Sequence, residues 1–397
     1  MSKIVIVSHT HLCRNPRVYK EAKALDRAGY EVKILTAIYS DDLAEEDAML
    51  LIGTSVKYSF YSDLRLSSYR ALTDRLIRKA ASYILKKWGI ESKYTLGYGA
   101  SRLAEICKKE KADLYIMHQE LPTVVGAQLL EKNFPVAFDI EDFYSEDLLP
   151  SARQSRPIKL LKFAESMALN KGIYTLTTSD ALSDHLYQEY KGKKAFTIRN
   201  VFAVEDVLPR FEDHLVKRLY WFSQTIGPGR GLELLISSAN LIETPLEIHL
   251  RGNEVPGFIA ELNSQLEPKH SLKVHPLLEN DKLTKDMCNY DIGLALEPLE
   301  PLNKLLTTSN KLFHYLCGGL PVVISPTIGQ KEIMEMQSEK CIFSFDSMTA
   351  SALASTIQSI LSSDILKLKQ VAFELACEKF NWEIEEKKLL KIVNNSV

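Results

Sequence analysis

The chain is 397 residues long, and its 46% hydrophobic and 25% charged residues are typical of a soluble globular protein. This composition excludes a disordered or fibrous chain, and the length predicts two large domains. Lys and Arg total 49 against 51 Asp and Glu, which gives a formal net charge of -2. That balance argues against a dedicated nucleic-acid-binding protein, so we expect no nucleic-acid partner.

The N-terminus and the cysteines indicate the compartment. No apolar run approaches the roughly 18 residues of a transmembrane helix. The start, MSKIVIVSHTH, enters a strand-like run without the layout of a signal peptide. The six cysteines are scattered, with no C-x-x-C pair and no clustering with histidines, which argues against zinc and against a disulfide framework. We therefore expect a cytoplasmic protein with reduced thiols.

In the first half of the chain, short apolar runs alternate with helical segments. Residues 15–29 have the periodicity of a helix. The predicted strands are 3–8, 31–36, 113–117, 135–140 and 173–179. Strands that alternate with helices require crossover connections, and hence a parallel sheet.

A second series of the same kind follows a loop-like stretch at 200–216. Its predicted strands are 218–223, 246–252, 271–276, 291–296 and 320–325. Residues 382–393 have the apolar spacing of a packed amphipathic helix. The predicted fold class is α/β, with two doubly wound domains that face each other across a cleft. Ligands of such folds bind at the carboxyl ends of the strands, so this cleft is the expected active site.

The segment 65–93 departs from the balanced charge of the chain. A basic amphipathic helix with a tryptophan suits an anionic membrane surface. The alternative is the solvated face of a helix that packs against its own domain. The apolar residues near one helical face are Leu72, Leu76, Ala80, Tyr83, Ile84 and Trp88. The basic residues, set against Asp74 and Glu91 alone, are Arg65, Arg70, Arg75, Arg78, Lys79, Lys86, Lys87 and Lys93.

Two helix starts in the second half carry a cation shortly after a predicted strand. Arg230 lies in the glycine-rich turn SQTIGPGRGLELL. Lys311 lies in the first turn of the helix TTSNKLFHYL, with Ser309 or Asn310 as N-cap. A cation in a first turn opposes the helix dipole, at a cost of about 0.3–1 kcal/mol. A bound anion would reverse this effect, and two such places fit the two phosphates of a nucleoside diphosphate. The alternative at each place is a side chain that extends into solvent.

The order of motifs along nearly the whole chain resembles that of GT-B glycosyltransferases of family 4. VSHTHLCRNPRVYKEAKALDRAGYEVKILT is similar to the opening of their first domain, and YTLTTSDALSDHLYQEY followed by TIRNV to its end. GRGLELLISSANLI is similar to their basic-Gly turn and helix, and NKLFHYLCGGLPVVISPTIGQKEIME to their donor-site helix, strand and loop. KFNWEIEEKKLLKI resembles the closing helix that returns to the first domain.

The resemblance implies two Rossmann-like domains, a nucleotide-sugar donor and a reaction that needs neither a metal nor a cofactor. It places an acceptor-binding domain at 1–205, a donor-binding domain at 206–375 and the returning helix at 376–397. The residues implied at the donor diphosphate are Arg230, Lys311, Ser309 and Asn310. Those at the nucleobase are His275 and Pro276. Those that would line the cleft are His9, His11, Arg14, Arg17 and Gln224.

The sequence departs from the family pattern at positions that concern catalysis. Many members carry two glutamates eight positions apart, and the corresponding positions here hold Leu306 and His314. Glu297 or Glu300, slightly upstream, could contact the hydroxyl groups of the donor sugar instead. The cleft histidine of the family aligns with Glu141. The donor-binding motifs therefore resemble the family more closely than the catalytic positions do.

The charged residues nevertheless indicate how the reaction could proceed. The two cations could stabilise a departing diphosphate without a metal. A carboxylate after a strand could activate the acceptor, and Glu141, Asp142 and Asp139 are the first candidates. His9 or His11, after the first strand, could also reach the substrate. The alternative for each carboxylate is an N-cap or a surface ion pair.

The sequence thus predicts a hexosyltransferase-type enzyme that moves a sugar from a nucleotide-diphosphate donor to a glycan or lipid-linked acceptor. The expected setting is cell-surface polysaccharide or glycolipid biosynthesis, with retention of configuration and peripheral membrane contact through 65–93. Two alternatives stay open. One is a nucleotide-sugar epimerase of the same architecture, and the other is a catalytically degenerate glycosyltransferase-like partner subunit.

Overall fold

The computed structural model describes residues 1–65, 68–205, 207, 209–278 and 280–397. The chain divides into two compact units. Unit 1 comprises Met1–Ile198 and Glu386–Val397, and unit 2 comprises Arg199–Glu385. Residues 66 and 67 of the segment 65–93, and the predicted domain boundary at 206, lie outside the described residues.

Unit 1 contains a seven-stranded parallel sheet. Its strands are β1 (Lys3–Val7), β2 (Glu31–Ile38), β3 (Lys57–Asp63), β4 (Leu114–His118), β5 (Val136–Ile140), β6 (Thr175–Thr177) and β7 (Phe196–Thr197). The strand order is β3-β2-β1-β4-β5-β6-β7. The chain therefore reverses direction across the sheet between β1 and β4, and open α/β sheets bind ligands at the carboxyl ends of such a strand pair.

Helices connect these strands. They are α1 (Pro16–Arg27), α2 (Asp41–Leu50), α3 (Tyr69–Trp88), α4 (Ala100–Glu110), α5 (Glu120–Leu130), α6 (Ile158–Lys171) and α7 (Asp180–Tyr190). The start of α1 follows directly from its sequence, because the Asn15 side chain accepts a hydrogen bond from the Val18 N–H and Pro16 occupies the first helical position. This cap fixes the loop between β1 and α1, which passes the carboxyl edge of the sheet.

Unit 2 contains a six-stranded parallel sheet. Its strands are β8 (Lys217–Ile226), β9 (Leu246–Glu254), β10 (Ser271–His275), β11 (Ile292–Ala295), β12 (Val322–Ile324) and β13 (Ile342–Ser344). The strand order is β10-β9-β8-β11-β12-β13, so the reversal lies between β8 and β11. A core that includes Trp221 of β8, which is fully buried, holds the helices against the sheet.

The helices of unit 2 begin with α8 (Leu232–Ala239), which follows β8. The others are α9 (Phe258–Gln265), α10 (Asn280–Asp286), α11 (Leu302–Leu306), α12 (Asn310–Cys317), α13 (Ile328–Glu335), α14 (Ala350–Leu361) and α15 (Ile365–Lys379). The last helix, α16 (Trp382–Asn394), starts in unit 2 and ends in unit 1. Within unit 1, Glu386 of α16 accepts a hydrogen bond from Arg27 at 2.5 Å, and Asn394 accepts one from Tyr30 at 2.5 Å.

The two parallel α/β sheets confirm the predicted fold class, and the structure adds elements that the apolar pattern does not reveal. β3 is an edge strand with the sequence KYSFYSD, and most of its residues are not buried. β13 is only three residues long. Neither forms the continuous apolar run that marks a central parallel strand. In the described part of the chain, no helix combines the length and the apolar character needed to cross a bilayer.

Candidate functional site

In unit 2, the glycine-rich turn after β8 lies against the loop after β11. Gly231 has a φ of +81°, a left-handed conformation that glycine adopts without strain. A Cβ atom at Gly231 would come within 2.9 Å of Leu296 Cβ. Arg230 is exposed, and its Nη1 donates a hydrogen bond to Ser223 Oγ of β8 at 3.1 Å. Arg230 therefore lies at the carboxyl edge of the sheet, next to the loop that follows β11.

Lys311 lies at the same edge and has a carboxylate partner. It is the second residue of α12, and its Nζ donates to Glu297 Oε1 at 2.6 Å. Ser309 Oγ donates to the same oxygen at 2.8 Å. The Lys311 ammonium is 5.7 Å from the ring centroid of Trp221, and the Glu297 N–H donates to Ser325 Oγ at 2.9 Å. Strand β8 and the segments that follow β11 and β12 thus meet around the Glu297–Lys311 pair.

Glu297 supplies part of the negative charge that the sequence analysis expected from a bound anion at the start of α12. Burial alone would raise the pKa of Glu297, but the Lys311 and Lys304 charges and the hydrogen bonds to Glu297 lower it to about 2. Glu297 is therefore an anion at neutral pH, and it offsets the Lys311 charge at the start of α12. The Lys311 side chain is 15% exposed, and an ammonium has three N–H donors, so it can also bind a second anion.

The remaining donor-side residues differ in exposure. Asn310, Glu300 and Gln224 are exposed. Ser309 is the N-cap residue of α12, but its hydroxyl bonds to Glu297 and not to a helix amide. The first N–H groups of α12 therefore have no side-chain cap within the described chain.

The predicted nucleobase position is fixed to β9. His275 ends β10, and its Nε2 faces Nδ1 of His249 at 2.9 Å with the two rings nearly parallel. The Pro276 carbonyl accepts a hydrogen bond from Arg251 Nη1 at 2.7 Å. Burial, and then the Arg251 charge, lowers the pKa of His275, and burial lowers that of His249 to about 4. Both histidines are therefore neutral at physiological pH.

The two positions that hold glutamates in the family are buried in unit 2. Leu306 is 4% exposed and His314 is 3% exposed. The His314 ring stacks on Phe202 with 3.4 Å between the ring centroids, and its Nδ1 is 3.3 Å from Thr284 Oγ1. A stacked, buried imidazole takes the place of a carboxylate, so the structure differs from the family pattern here in side-chain chemistry as well as in sequence.

In unit 1, a network of buried charged side chains lies at the carboxyl ends of β4 and β5. His118 ends β4 and is fully buried. Its Nδ1 donates to Glu141 Oε1 at 2.9 Å, and its Nε2 donates to Glu21 Oε2 at 2.6 Å. Asn15 Nδ2 donates to the same Glu141 oxygen at 2.9 Å. Arg17 Nε donates to Asp139 Oδ2 at 2.6 Å.

These contacts set the charge states at this edge. Burial would lower the pKa of His118, but the carboxylates of Glu21, Asp139 and Glu141 raise it to about 10, so the ring is an imidazolium at neutral pH. Burial would raise the pKa of Glu141, but its hydrogen bond with His118 and that positive charge lower it. Burial raises the pKa of Asp139. The Glu141 side chain is 18% exposed, so the network presents one ionised, oriented carboxylate at the surface.

Three atoms in this network lack a hydrogen-bond partner among the described residues, namely Arg17 Nη2, Glu21 Oε1 and Asp139 Oδ1. Glu21, His118 and Asp139 are also close enough together to hold a metal ion. A metal would need a lone pair on a ring nitrogen, however. Both ring nitrogens of His118 are protonated, and their N–H groups donate to the carboxylates of Glu141 and Glu21. The contacts therefore fit an ion-pair network better than a metal centre.

The other predicted residues of unit 1 have different environments. His11 is fully buried, with Nδ1 2.7 Å from Asp47 and Nε2 accepting from the Tyr39 N–H at 2.9 Å. His11 therefore links the loop after β1 to α2 and to the segment that precedes α2. His9 Nε2 is 3.4 Å from Glu120, and burial lowers its pKa. Arg14 is exposed, whereas Asp142 is half-buried.

Gln119 joins the loops at this edge and has a strained backbone. Its φ is +69° and its ψ is 174°, which costs a non-glycine residue about 1–3 kcal/mol. Its Oε1 accepts hydrogen bonds from Ser8 Oγ at 2.8 Å and from the His9 N–H at 2.9 Å. The Tyr144 hydroxyl accepts from the Gln119 N–H at 3.1 Å. Strain that the surroundings maintain in this way is frequent at functional sites.

The sequence interpretation did not include His118, Glu21 or Gln119. His118 and Gln119 directly follow the predicted strand 113–117, so the rule that ligands bind at the carboxyl ends of strands could have found them. Glu21 lies inside a helix, 97 residues before His118, and only the tertiary fold brings the two together.

Comparison with known proteins supports the fold. No protein-family model matches this chain, and no curated protein matches it significantly. Among solved structures, sucrose-phosphate synthase from Thermosynechococcus elongatus is 15% identical with a TM-score of 0.72, over 100% of this chain and 99% of that one. HepE from Anabaena, in complex with UDP and glucose, is 15% identical with a TM-score of 0.68, over 100% of both chains.

TarM from S. aureus, solved as a variant with fondaparinux, α-GlcNAc-glycerol and UDP, is 12% identical with a TM-score of 0.67, over 99% of this chain and 100% of that one. These structural neighbours are GT-B glycosyltransferases. The chain has the GT-B fold. At these identities the likeness extends to the backbone architecture and not to the function of single residues.

Proposed function

We propose that this protein is a glycosyltransferase that transfers a hexose from a nucleotide-diphosphate donor to a glycan or lipid-linked acceptor. The observation that carries the proposal is the pair of cations, Arg230 and Lys311, on adjoining segments at the carboxyl edge of a GT-B donor-side unit. HepE and TarM, which share the fold, were solved with UDP.

Unit 2 would bind the donor. The guanidinium of Arg230, the ammonium of Lys311 and the uncapped N–H groups at the start of α12 would offset the charge of the departing diphosphate, with Ser309 and Asn310 beside them. This arrangement supplies positive charge from the chain itself, which supports a metal-independent reaction. Glu297 or Glu300 would contact the hydroxyl groups of the sugar.

The nucleobase would lie against the turn of His275 and Pro276. The contacts of both residues with β9 support this position, because they hold the turn in a fixed geometry beside the sheet edge. A neutral imidazole and a backbone carbonyl can recognise a base by hydrogen bonding without a charge.

Unit 1 would bind the acceptor. Glu141 is ionised and oriented by His118 and Asn15, so it can accept a proton from an acceptor hydroxyl or hold that hydroxyl in place. Asp142, which directly follows Glu141, and His9, on the loop after β1, complete the set of acceptor-side candidates. We propose that His118 is a positioning residue for Glu141, and that the sugar is transferred with retention of configuration in the assembly of cell-surface glycans.

Two measurements test the reaction class. Thermal unfolding in a panel of nucleotides and nucleotide sugars should identify the donor, because a ligand at a hundredfold excess over its Kd stabilises the native state by about 2.7 kcal/mol. Transfer of label from the identified donor into cell-lipid or glycan extracts should then yield a glycosylated product. A chain that no nucleotide stabilises would contradict the proposal.

The environment of Leu306 and His314 favours a second candidate, a catalytically silent glycosyltransferase-like subunit. Both positions are buried, and neither carries the glutamate of the family pattern. Such a chain would bind nucleotide yet never transfer label to any acceptor. An epimerase, in contrast, would release free nucleotide from the donor and form no acceptor product.

A further inference from the structure

Helix α3 is anchored to unit 1 by one face only. The buried residues of α3 are Ala71, Asp74, Ala81 and Leu85. Their spacing of three, seven and four residues places them in one stripe along the helix. Asp74 is the only acidic residue of α3, and it lies on this buried face. Its carboxylate accepts hydrogen bonds from Ser62 Oγ at 2.7 Å and from Arg102 Nη1 at 3.0 Å.

The opposite face of α3 exposes large apolar side chains. At 3.6 residues per turn, their stripe is turned by about 180° from the buried one. Exposed fractions are 84% for Tyr69, 54% for Leu72, 58% for Leu76 and 55% for Tyr83. The apolar surface continues to the end of the helix and beyond it, since Trp88, the last residue of α3, is 58% exposed and Ile90 is 59% exposed. An exposed apolar surface of this kind calls for a partner.

Exposed cations border this apolar stripe. Lys79, Lys86 and Lys87 are exposed and lie on the same side of α3. Lys87 Nζ is 5.6 Å from the ring centroid of Tyr83 and 5.1 Å from that of Trp88. The outer face carries no acidic residue, since Asp74 is buried. Such a surface suits the interface of an anionic bilayer. The apolar and aromatic side chains would enter the boundary between headgroups and acyl chains, and the lysines would contact the negatively charged headgroups.

We propose that the outer face of α3 docks the protein onto an anionic lipid bilayer, with the helix lying in the plane of the interface. Charge complementarity selects this occupant. In a symmetric dimer through the same face, lysines of one copy would lie against lysines of the other, so a second copy is disfavoured. A helix of this kind lies on a membrane and does not cross it, which agrees with its many cations and with its lack of the apolar character of a spanning helix.

The position of α3 also relates the bilayer to the acceptor edge of unit 1. Helix α3 packs against residues Arg153–Ser155. The next residue, Arg156, forms an ion pair with Glu120, and Glu120 Oε2 lies 3.4 Å from His9 Nε2. His9 lies at the carboxyl edge that also holds Glu141. A lipid surface on α3 would therefore lie near the acceptor side, a step that rests on the proposed function.

Vesicle co-sedimentation tests the docking directly. The full-length protein should bind phosphatidylcholine vesicles that contain phosphatidylglycerol, and bind pure phosphatidylcholine vesicles much more weakly. The triple variant Lys79→Gln, Lys86→Gln, Lys87→Gln should lose about a hundredfold in partition coefficient, because each cation near an anionic surface contributes a factor of about five. The variant Leu72→Ser, Leu76→Ser, Tyr83→Ser should lose binding at least as strongly.

A matched control removes the same charge from another helix of unit 1. Lys387→Gln, Lys388→Gln, Lys391→Gln on α16 also replaces three exposed lysines, and its partition coefficient should stay within about twofold of the wild type. Thermal unfolding should be similar for all variants, because none of the substituted side chains is buried. Nucleotide affinity in solution should be unchanged by the α3 variants, so that a failure of docking and a failure of the proposed reaction give different results.

Two outcomes would overturn the proposal. One is a wild-type protein that does not bind anionic vesicles even at low ionic strength, or an α3 triple-lysine variant that binds them as well as the wild type. The other is a concentration-dependent dimer, seen by analytical ultracentrifugation, that the Leu72, Leu76 and Tyr83 substitutions abolish. That result would assign the face to a second copy of the chain.

Discussion

His118 carries a positive charge because carboxylates hold both of its ring nitrogens. Glu21 and Glu141 accept its two N–H groups, and Asp139 lies 3.8 Å from Nδ1. These four residues are scattered along the sequence, so the sequence alone does not reveal the charge of His118. The structure does, because a buried imidazole between carboxylates is stable only as the cation.

His118→Gln should therefore destabilise unit 1 in a pH-dependent way. The folded pKa of His118, about 10, lies above the unfolded value of 6.5, so its contribution is fully present below pH 6.5 and is lost as the pH rises through 10. Removal of one partner from a buried pair typically costs about 3–5 kcal/mol. Urea unfolding should show a larger difference from wild type at pH 6 than at pH 10. His185→Gln, on α7, is a control for loss of a histidine from unit 1, and an equal difference at both pH values for His118→Gln would contradict this account.

Glu297→Gln should leave the Lys311 ammonium without its counter-charge. We expect a loss of about 3 kcal/mol in the free energy of unfolding, the lower end of the cost of breaking a buried pair. Nucleoside diphosphate should then raise the Tm of this variant more than that of the wild type, because the bound anion replaces the missing carboxylate. Glu300→Gln, in the same loop but exposed, should match the wild type in both measurements. An unchanged ligand-induced shift in Glu297→Gln would separate Lys311 from the anion site.

At the scale of elements, the glycine-rich turn depends on close packing between loops. Gly231 and Gly257 both precede a helix and have φ values of +81° and +85°, but only Gly231 lies against another side chain, that of Leu296. Substitution by alanine should cost each position about 1 kcal/mol, because a Cβ disfavours the left-handed region. A Cβ atom at Gly257 would have no neighbour within 4 Å, so its substitution adds no clash.

Gly231→Ala should in addition displace the Arg230 turn and weaken nucleotide binding, whereas Gly257→Ala should leave it unchanged. The measurement is calorimetric titration of both variants with the nucleoside diphosphate that stabilises the wild type. Equal affinities for the two variants would mean that the contact between the turn and Leu296 does not position Arg230.

The elements also show how far the sequence pattern could reach. Central strands such as β4 and β5 are buried along their whole length, so their continuous apolar runs identify them. Most residues of the edge strand β3 are not buried, so it has no such signal. For α3, periodicity predicts the helix and its apolar stripe correctly. Whether that stripe faces the core or solvent depends on which residues the neighbouring elements cover, and periodicity does not contain that information.

At the scale of the whole molecule, the alternation of strands and helices was sufficient to predict two parallel α/β units, because crossover connections leave few topologies. The candidate sites follow less directly. The carboxyl-edge rule places Arg230 and Lys311 at one edge of unit 2, and the structure has them there. The ion pair of Lys311 with Glu297 joins residues 14 positions apart through a loop whose path no local pattern predicts.

The central claim is that Arg230 and Lys311 together bind the diphosphate of the donor. Calorimetric titration with UDP and GDP should show that Arg230→Ala and Lys311→Ala each weaken binding by about 1–3 kcal/mol, the range for a lost charge-assisted hydrogen bond. Arg218→Ala, near the opposite end of β8, should bind as the wild type does. The corresponding nucleosides, which lack phosphates, should not distinguish the variants. Unchanged diphosphate affinity in both Arg230→Ala and Lys311→Ala would contradict the account.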